Sequence, residues 1–293
     1  MAVVPSDLTL PATYVRRGRV ATYIRRHPTI VLGSGLLAVM VAIAILAPYL
    51  GTVDPQALAP AKRLRWPSAE YPLGTDMFGR DVYSRTIYGA RVSLAVGISV
   101  ALLSIGFGMA MGLVAGFSRL VDAIVMRVMD GLMSIPGILI AIALMALNRA
   151  SLKNVIFAIT VAEVPRVTRL VRGVVLTLRE QPYVEAAIAS GTVTAKILWR
   201  HIVPNTLAPV LVQGTFIAAS AMITEAILSF IGAGTPPNIP SWGNIMAEGR
   251  SVFQVAYYIV LFPGICLSVT VLAINLLGDG LRDALDPRLA RRL

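Results

Sequence analysis

The sequence predicts an all-α integral membrane protein with six transmembrane helices, on three observations. Of its 293 residues, 56% are hydrophobic and only 14% are charged, whereas a soluble domain carries about 25% charged residues. The mean hydropathy is +0.75. Six apolar runs recur along the chain, each near the length of about 20 residues that a spanning helix needs. Lipid must therefore cover much of the surface.

The predicted spans follow these apolar runs in chain order. The second and fifth runs are strongly apolar, whereas the third contains Pro136 and the fourth contains Glu163 and Pro165. The predicted helices cover 29–50, 92–116, 123–147, 152–172, 207–232 and 257–277. Residues 51–91 form a predicted external loop, and residues 92–280 form the predicted membrane core.

Basic residues predict the orientation, with both termini in the cytoplasm. The tail 1–28 carries five arginines and a single acid, Asp7, and cytoplasmic flanks of membrane spans are rich in Lys and Arg. Six spans return the tail 281–293 to the same side, and segment 173–206 also falls in the cytoplasm. The external loop disagrees in part with this rule, because it contains six basic residues: Lys62, Arg63, Arg65, Arg80, Arg85 and Arg91.

Composition and missing motifs exclude several function classes. The net charge of +11 fits basic membrane flanks, because the charges cluster beside apolar segments, so we predict no nucleic-acid binding. Cys266 is the single cysteine, so no intrachain disulfide can form. The chain lacks a G-x-x-x-x-G-K-[ST] phosphate loop, and we predict no metal site, no catalytic residues and no cofactor in it. If ATP is used, another chain binds it.

A stripe of small residues marks the second span. Gly108, Gly112 and Gly116 recur every four residues, which places them on one face of a helix. Such stripes let two helix backbones approach closely in lipid. We predict that these glycines pack against a neighbouring helix.

The segment 173–206 has a local pattern of two short helices. Pro182 suits the first turn of a helix, and Gly191 can end that helix in the left-handed conformation. Thr194 to Ile202 reads as a second helical stretch, which we predict Pro204 closes. On physical grounds alone, an amphipathic loop that rests on lipid headgroups is an equal interpretation.

This segment contains EAA at 185–187, then Gly191, Ile197 and the ending HIVPN, and it resembles the EAA loop of ABC-importer permeases. Other stretches resemble the C-type permease subunit of dipeptide, oligopeptide and nickel importers. The matching stretches are YPLGTDMFGRDVYSRTIYGARVSL (71–94), PRVTRLVRGVV (165–175), YVEAAIASG (183–191), EAILSFIGAGTPPNIPSWG (225–243) and FPGICLSVTVLAINLLGDGLRDALDPR (262–288). Five motifs in the same order make the resemblance specific.

The resemblance implies a type I ABC-importer permease fold in the inner membrane of a bacterium. It also implies a second homologous permease, two cytoplasmic ATPase subunits that bind ATP and Mg, and an external substrate-binding protein. The EAA loop, 173–206 here, docks on an ATPase. The residues that the resemblance assigns to coupling are Glu185, Ala186, Ala187, Gly191, Ile197 and Pro204. Di- or oligopeptides are the expected cargo, and nickel or another small solute is the alternative.

Glu185 has two interpretations. An acid near a helix start is favoured by the helix dipole, so Glu185 can simply stabilise its own helix. It can also pair with a cation on the ATPase.

Glu163 departs from the family pattern, which usually has a small residue followed by Trp where this chain has Glu163 and Val164. Ionisable residues at membrane depth are costly and usually functional. We therefore expect Glu163 either to hold a cationic group of the substrate in the translocation path, or to pair with Arg166 or Arg169 one turn away.

Two further acids are candidates for ion pairs, Asp130 in an interfacial pair near the cytoplasmic end and Glu225 in the outer part of the fifth span. Asp130 follows Arg127 by three residues, the spacing of an ion pair along one helix. Glu225 opens a family motif in the fifth span, and we expect it to pair with an arginine of the partner subunit or of the loop that contains Gly79-Arg80-Asp81. Contact with the substrate in the translocation path is the alternative for Glu225.

Other transport classes compete with the importer. An ion-coupled secondary carrier would show inverted repeats or broken helices, and no internal repeat is evident in the sequence. An exporter half would not be expected to carry a single EAA loop. The importer hypothesis therefore explains the most features.

Overall fold

The computed structural model describes residues 27–147 and 149–285. Within these ranges the chain folds into ten α-helices, and the only strand-like pairing is an isolated antiparallel bridge between Thr75 and Asp81. The N-terminal arginines and the tail after residue 285, on which much of the predicted orientation rests, lie outside the described residues. The structure thus supports the all-helical class.

The helices are numbered in chain order. They are α1 (Pro28–Leu46), α2 (Val82–Phe117), α3 (Arg119–Met133), α4 (Gly137–Ala146), α5 (Leu152–Arg179), α6 (Pro182–Ala189), α7 (Thr194–Ile197), α8 (Val203–Phe230), α9 (Trp242–Gly249) and α10 (Tyr258–Leu285). Short 3₁₀ turns lie at Ala47–Tyr49, Pro60–Lys62 and Arg250–Val252, and a π-helical turn, Leu198–Ile202, joins α7 to α8.

Four helical stretches in the described ranges are long and apolar enough to cross a bilayer: α1 with its final turn, α2, α7–α8 and α10. A fifth results if α3 and α4, bent by 89° at a short break, count as one broken span. The remaining long helix, α5, has 28 residues but contains Lys153, Glu163 and four arginines. The predicted count of six spans is therefore not confirmed by length and apolarity in this part of the chain.

The second helix begins at Val82 and not at 92, so residues 82–91 are not loop. Asp81 caps the helix, since its side chain accepts hydrogen bonds from the backbone N–H groups of the next turn. The charged residues that suggested a loop are satisfied inside the fold. Arg91 donates to two carbonyl oxygens at the end of α1, and Arg85 pairs with acids described below.

The third predicted span, 123–147, is broken in the structure. Pro136 has an extended ψ of 128° and caps α4, and a proline has no N–H with which to continue the hydrogen bonds of α3. The boundaries around the next connection also differ from those predicted. Because α5 continues to Arg179 and α8 begins at Val203, the connection between them is shorter than 173–206.

The core forms where α2 packs against its neighbours. On one side, α2 and α5 share a cluster of buried aliphatic residues with α4 and α8. On the other side, α1, α8, α9 and α10 pack around the start of α2. Trp242 of α9 is fully buried there, and its Nε1–H donates to the carbonyl oxygen of Thr86. The first helix lies directly against α10, since a Cβ on Gly33 would fall 2.6 Å from the backbone nitrogen of Leu277.

Candidate functional site

The segment 181–202 connects α5 to α8 and carries the residues predicted to couple. Its first helix, α6, starts at Pro182, after Gln181 in an extended conformation. Val184 is fully buried, and it joins Ile197 and Ile202 in the cluster beneath the segment. The Tyr183 and His201 rings lie 5.9 Å apart. The segment is therefore packed against the bundle and is not a loose loop.

Gly191 ends α6 in the left-handed conformation, with φ of +74°. The N–H of Gly191 donates to the carbonyl oxygen of Ile188, and the N–H of Thr192 donates to that of Ala187. These two bonds form a Schellman motif, which satisfies the last carbonyl groups of a helix. The chain consequently turns sharply between α6 and α7.

Pro204 does not close the second helix, which corrects the sequence prediction. It lies in the first turn of α8, where its missing N–H is tolerated. The π-helical turn Leu198–Ile202 absorbs the change of hydrogen-bonding register, and the chain continues as one helical stretch from Thr194 to Phe230. The coupling candidate Ile197 is buried at the start of this stretch and anchors it to the core.

The outer face of the 181–202 segment is exposed and largely apolar. Glu185 and Ala186 are exposed and Ala187 is half-buried. The Glu185 carboxylate forms no hydrogen bond or ion pair with any described residue of this chain. Four large apolar side chains are also exposed, with Trp199 at 74%: Tyr183, Ile188, Val193 and Trp199. Such a patch marks an interaction surface.

The glycine stripe of α2 lies against α5. A Cβ at Gly108 would fall 2.5 Å from the Cβ of Val167, and a Cβ at Gly112 would fall 2.7 Å from that of Val171. Gly116 has the same relation to Val175. Three glycines on one helix therefore face three valines on the other. This contact packs α2 against α5, the helix that leads into the 181–202 segment.

Glu163 lies on α5 and pairs with Arg166, whose Nη1 is 3.0 Å from Glu163 Oε2. This geometry matches one of the two interpretations given to Glu163, and Arg169 is not its partner. The Ser220 hydroxyl of α8 lies 3.4 Å from the other carboxylate oxygen. The Glu163 side chain is mostly buried, while that of Arg166 is 56% exposed.

Asp130 does not pair with Arg127, contrary to the prediction. Its Oδ1 lies 2.6 Å from Nη2 of Arg169 on α5, so the pair joins two helices and does not run along one. A second pair joins the same helices, with Arg172 donating to Asp122. These ion pairs hold α3 to α5.

Glu225 is fully buried on α8 and contacts no arginine among the described residues, so the predicted pairing with the arginine of the 79–81 loop is wrong. Its Oε1 accepts from the hydroxyls of Ser229 and Thr235. Its Oε2 has no hydrogen-bond partner within the described residues. Because the side chain is inaccessible within this chain, a partner subunit cannot reach it in this conformation either.

A buried charge network that the sequence did not reveal joins α2 to α9. Asp76 accepts from Arg80 and Arg85, and both arginines also donate to Glu248. Arg85 is 1% exposed. Burial raises the pKa of the Glu248 carboxyl, whereas the two guanidinium groups act in the opposite direction. This network ties the 71–81 loop to the connection between α8 and α10.

A cavity of about 490 Å³ lies between α5, α8 and α10. Gln213 and Arg282 are its polar lining residues, and Leu170 and Phe216 contribute apolar surface. Arg282 forms no ion pair within the described part of the chain. The cavity is large enough to admit a small polar solute.

Comparison with known proteins gives consistent matches. Residues 90–291 match the family described as binding-protein-dependent transport system inner membrane component. The chain is 52% identical over 269 residues to the probable peptide ABC transporter permease protein y4tQ of Sinorhizobium fredii, covering 92% of each chain. It is 40% identical to the dipeptide transport system permease protein DppC of Alkalihalophilus pseudofirmus, covering 91% of this chain and 88% of that one.

A solved structure supports the fold. A chain from the inward-facing MetNI methionine ABC transporter superposes with a TM-score of 0.54 at 20% identity, over 69% of this chain and 96% of that chain. At this identity the likeness concerns the fold alone.

Proposed function

This chain belongs to the family of binding-protein-dependent transport system inner membrane components, and we propose that it is a permease subunit of an ATP-driven importer of di- or oligopeptides. It is a multi-pass protein of the cytoplasmic membrane and is not itself an ATPase. In the proposed complex it forms half of the translocation path, a second homologous permease forms the other half, and two ATPase subunits bind ATP and Mg. An external binding protein delivers the substrate.

The observation that carries the proposal is the shape and surface of the 181–202 segment. Two short helices meet at the sharp turn of Gly191 and rest on the core through Val184 and Ile197. Their outer face offers exposed apolar side chains and the unpaired carboxylate of Glu185. An exposed, partly apolar helical face that is anchored to the core fits a groove on a partner protein. We assign that groove to the ATPase subunit.

The continuity of the helices accounts for coupling. The second half of the segment is continuous with α8 from Thr194 to Phe230, and its first half follows α5 after one turn. A displacement of the segment by the ATPase therefore reaches both helices that carry Glu163 and Ser220. We propose that this motion switches the path between inward and outward access, with both termini in the cytoplasm.

The path is assigned to the face that α5 and α8 share. Charged groups at membrane depth avoid lipid and face cavities or other helices. Arg166 is more than half exposed in the isolated chain, and the 490 Å³ cavity lies on the same two helices. We infer that the second permease closes this face into an aqueous path.

Peptide cargo rests on the relatives, whose names include peptide and dipeptide transport. Uptake of tritiated dialanine into proteoliposomes that contain the chain, its second permease and both ATPases tests the proposal. We expect accumulation that requires ATP on the ATPase side and the external binding protein. Accumulation driven by an ion gradient without ATP would indicate a secondary carrier, and ATP-driven uptake of Ni²⁺ in place of peptide would indicate the nickel alternative.

A further inference from the structure

Glu163 and Arg166 form an ion pair near the middle of α5. α5 has 28 residues and Glu163 is the twelfth, which places it about 17 Å from the start of a helix about 42 Å long at 1.5 Å per residue. Burial of the Glu163 carboxylate carries a desolvation cost, so its ion pair is weak evidence for stability. A functional role in the aqueous path is the stronger explanation.

The pair lies one helical turn from the cavity between α5, α8 and α10. Leu170, which lines the cavity, follows Arg166 by four residues on α5. Phe216, which also lines it, precedes Ser220 by four residues on α8, and the Ser220 hydroxyl contacts Glu163. Residues four apart lie on the same helix face. The two charges therefore lie at the end of the cavity nearest the middle of α5.

The Arg166 and Glu163 side chains differ in solvent exposure, and this difference suits the binding of a ligand. The guanidinium of Arg166 is largely accessible, while the carboxylate of Glu163 is held deeper and contacts Ser220. Glu163 Oε2 meets Arg166 at 3.0 Å, but its Oε1 has only the long 3.4 Å contact with Ser220. Glu163 Oε1 therefore has only one long hydrogen bond, and it lies beside the accessible guanidinium of Arg166.

We propose that Glu163 and Arg166 recognise the two charged ends of a short peptide in the path, an inference that rests on the proposed function. The peptide ammonium binds the Glu163 carboxylate and the peptide carboxylate binds the Arg166 guanidinium. Each protein charge keeps an opposite charge when the peptide replaces its intrahelical partner, so no buried charge is left unpaired. The peptide body occupies the neighbouring cavity.

The geometry favours short peptides. Two side chains three residues apart on a helix are separated by about 4.5 Å of rise, and the ends of an extended dipeptide lie about 7 Å apart. Longer peptides cannot place both ends on one pair of side chains unless they fold back. The pair therefore selects for free termini and for short length.

Equilibrium binding to the purified four-subunit complex in nanodiscs, without the external binding protein, tests the inference. The probe is tritiated dialanine, with dialanine, N-acetyl-dialanine and dialanine amide as competitors. For the wild type we expect each blocked peptide to compete at least tenfold more weakly than dialanine. Arg166→Gln should abolish the preference for dialanine over its amide and keep the preference over the acetylated peptide. Glu163→Gln should do the reverse.

The control is Arg169→Gln, which breaks the neighbouring ion pair with Asp130 on the same helix and should leave all three competition curves unchanged. Basal ATP hydrolysis by each variant reports whether the complex is assembled. Equal competition by all three peptides in the wild type, no saturable dialanine binding, or equal effects of the two substitutions on all competitors overturns the inference. ATP-driven uptake of dialanine, measured in parallel, tests the proposed function independently of this inference.

Discussion

Arg85 on α2 and Glu248 on α9 form an ion pair across 163 residues of sequence, with a nitrogen–oxygen distance of 3.1 Å. The pair joins the start of a membrane helix to the connection between α8 and α10. Both residues also share a network with Asp76 and Arg80. The loop that precedes α2 is therefore fastened to the helix bundle by buried charges.

Replacing Glu248 with Ala should strongly destabilise this end of the bundle. Arg85 would keep Asp76 but lose its second carboxylate at an almost fully buried position, and breaking a buried pair costs about 3–5 kcal/mol. The free energy of unfolding in mixed micelles measures the effect. The matched control is Glu70→Ala, which breaks the exposed pair with Lys62 and should leave the free energy of unfolding nearly unchanged, because exposed ion pairs contribute little to stability. Similar losses from the two substitutions would contradict a structural role for the network.

Gly112→Ala should weaken the contact between α2 and α5. The added Cβ would lie 2.7 Å from the Cβ of Val171 and 2.8 Å from the carbonyl oxygen of Thr168, so the helices must move apart at a cost of about 1–3 kcal/mol. Gly106→Ala is the control on the same helix, because nothing lies within 4 Å of its added Cβ. It should be neutral or stabilise by about 0.5–1 kcal/mol. Unfolding in mixed micelles distinguishes the two, and an equal effect of both substitutions would argue against close packing.

Gly191→Pro should lower both transport and the coupled hydrolysis of ATP while the chain still inserts into the membrane. Proline cannot adopt the φ of +74° found at Gly191, and it removes the N–H that bonds to Ile188. Gly191→Asn is the control, since Asn tolerates the left-handed conformation and its side chain meets open space. Binding-protein-stimulated ATP hydrolysis and uptake should both fall at least tenfold in the proline variant and persist in the asparagine variant. Normal uptake with proline would show that the turn is dispensable.

Glu185→Lys tests whether the exposed carboxylate contacts another protein. Glu185 forms no ion pair within the described part of this chain, so reversing its charge should change the free energy of unfolding by no more than about 0.5 kcal/mol. Coupled uptake should nevertheless fall severalfold if Glu185 meets a cation on the ATPase. Glu180→Lys, the same charge change at an exposed position just before the segment, should have little effect. Equal uptake in both variants would leave Glu185 only the role of stabilising its own helix.

Short-range chemistry made much of the 181–202 segment predictable from sequence. Pro182 starts α6 and Gly191 ends it, as the local pattern indicated, because both effects arise within one helical turn. The prediction for Pro204 is wrong because it rests on the proline alone and not on the packing of the residues before it. The π-helical turn before it is held by the burial of Ile197 and Ile202, which depends on distant helices.

Partners from other helices could not be derived from spacing along the chain. Asp130 has a suitable neighbour in Arg127 on its own helix, but it pairs with Arg169 on α5 instead. Glu163 and Arg166 were predictable as a pair because both lie on one helix. The Arg85–Glu248 pair was not, because nothing local indicates which acid satisfies a buried arginine in a segment that reads as loop.

The most direct test of the central claim is site-specific photocross-linking from the 181–202 segment in the assembled transporter. Benzoylphenylalanine would replace Ile188, which is exposed on the outer face of α6, and in a second variant Ile98, which is similarly exposed on the membrane helix α2. The account predicts a cross-link from position 188 to the ATPase subunit and none to it from position 98. Cross-links from position 188 only to lipid or to another permease would contradict docking of this segment on the ATPase.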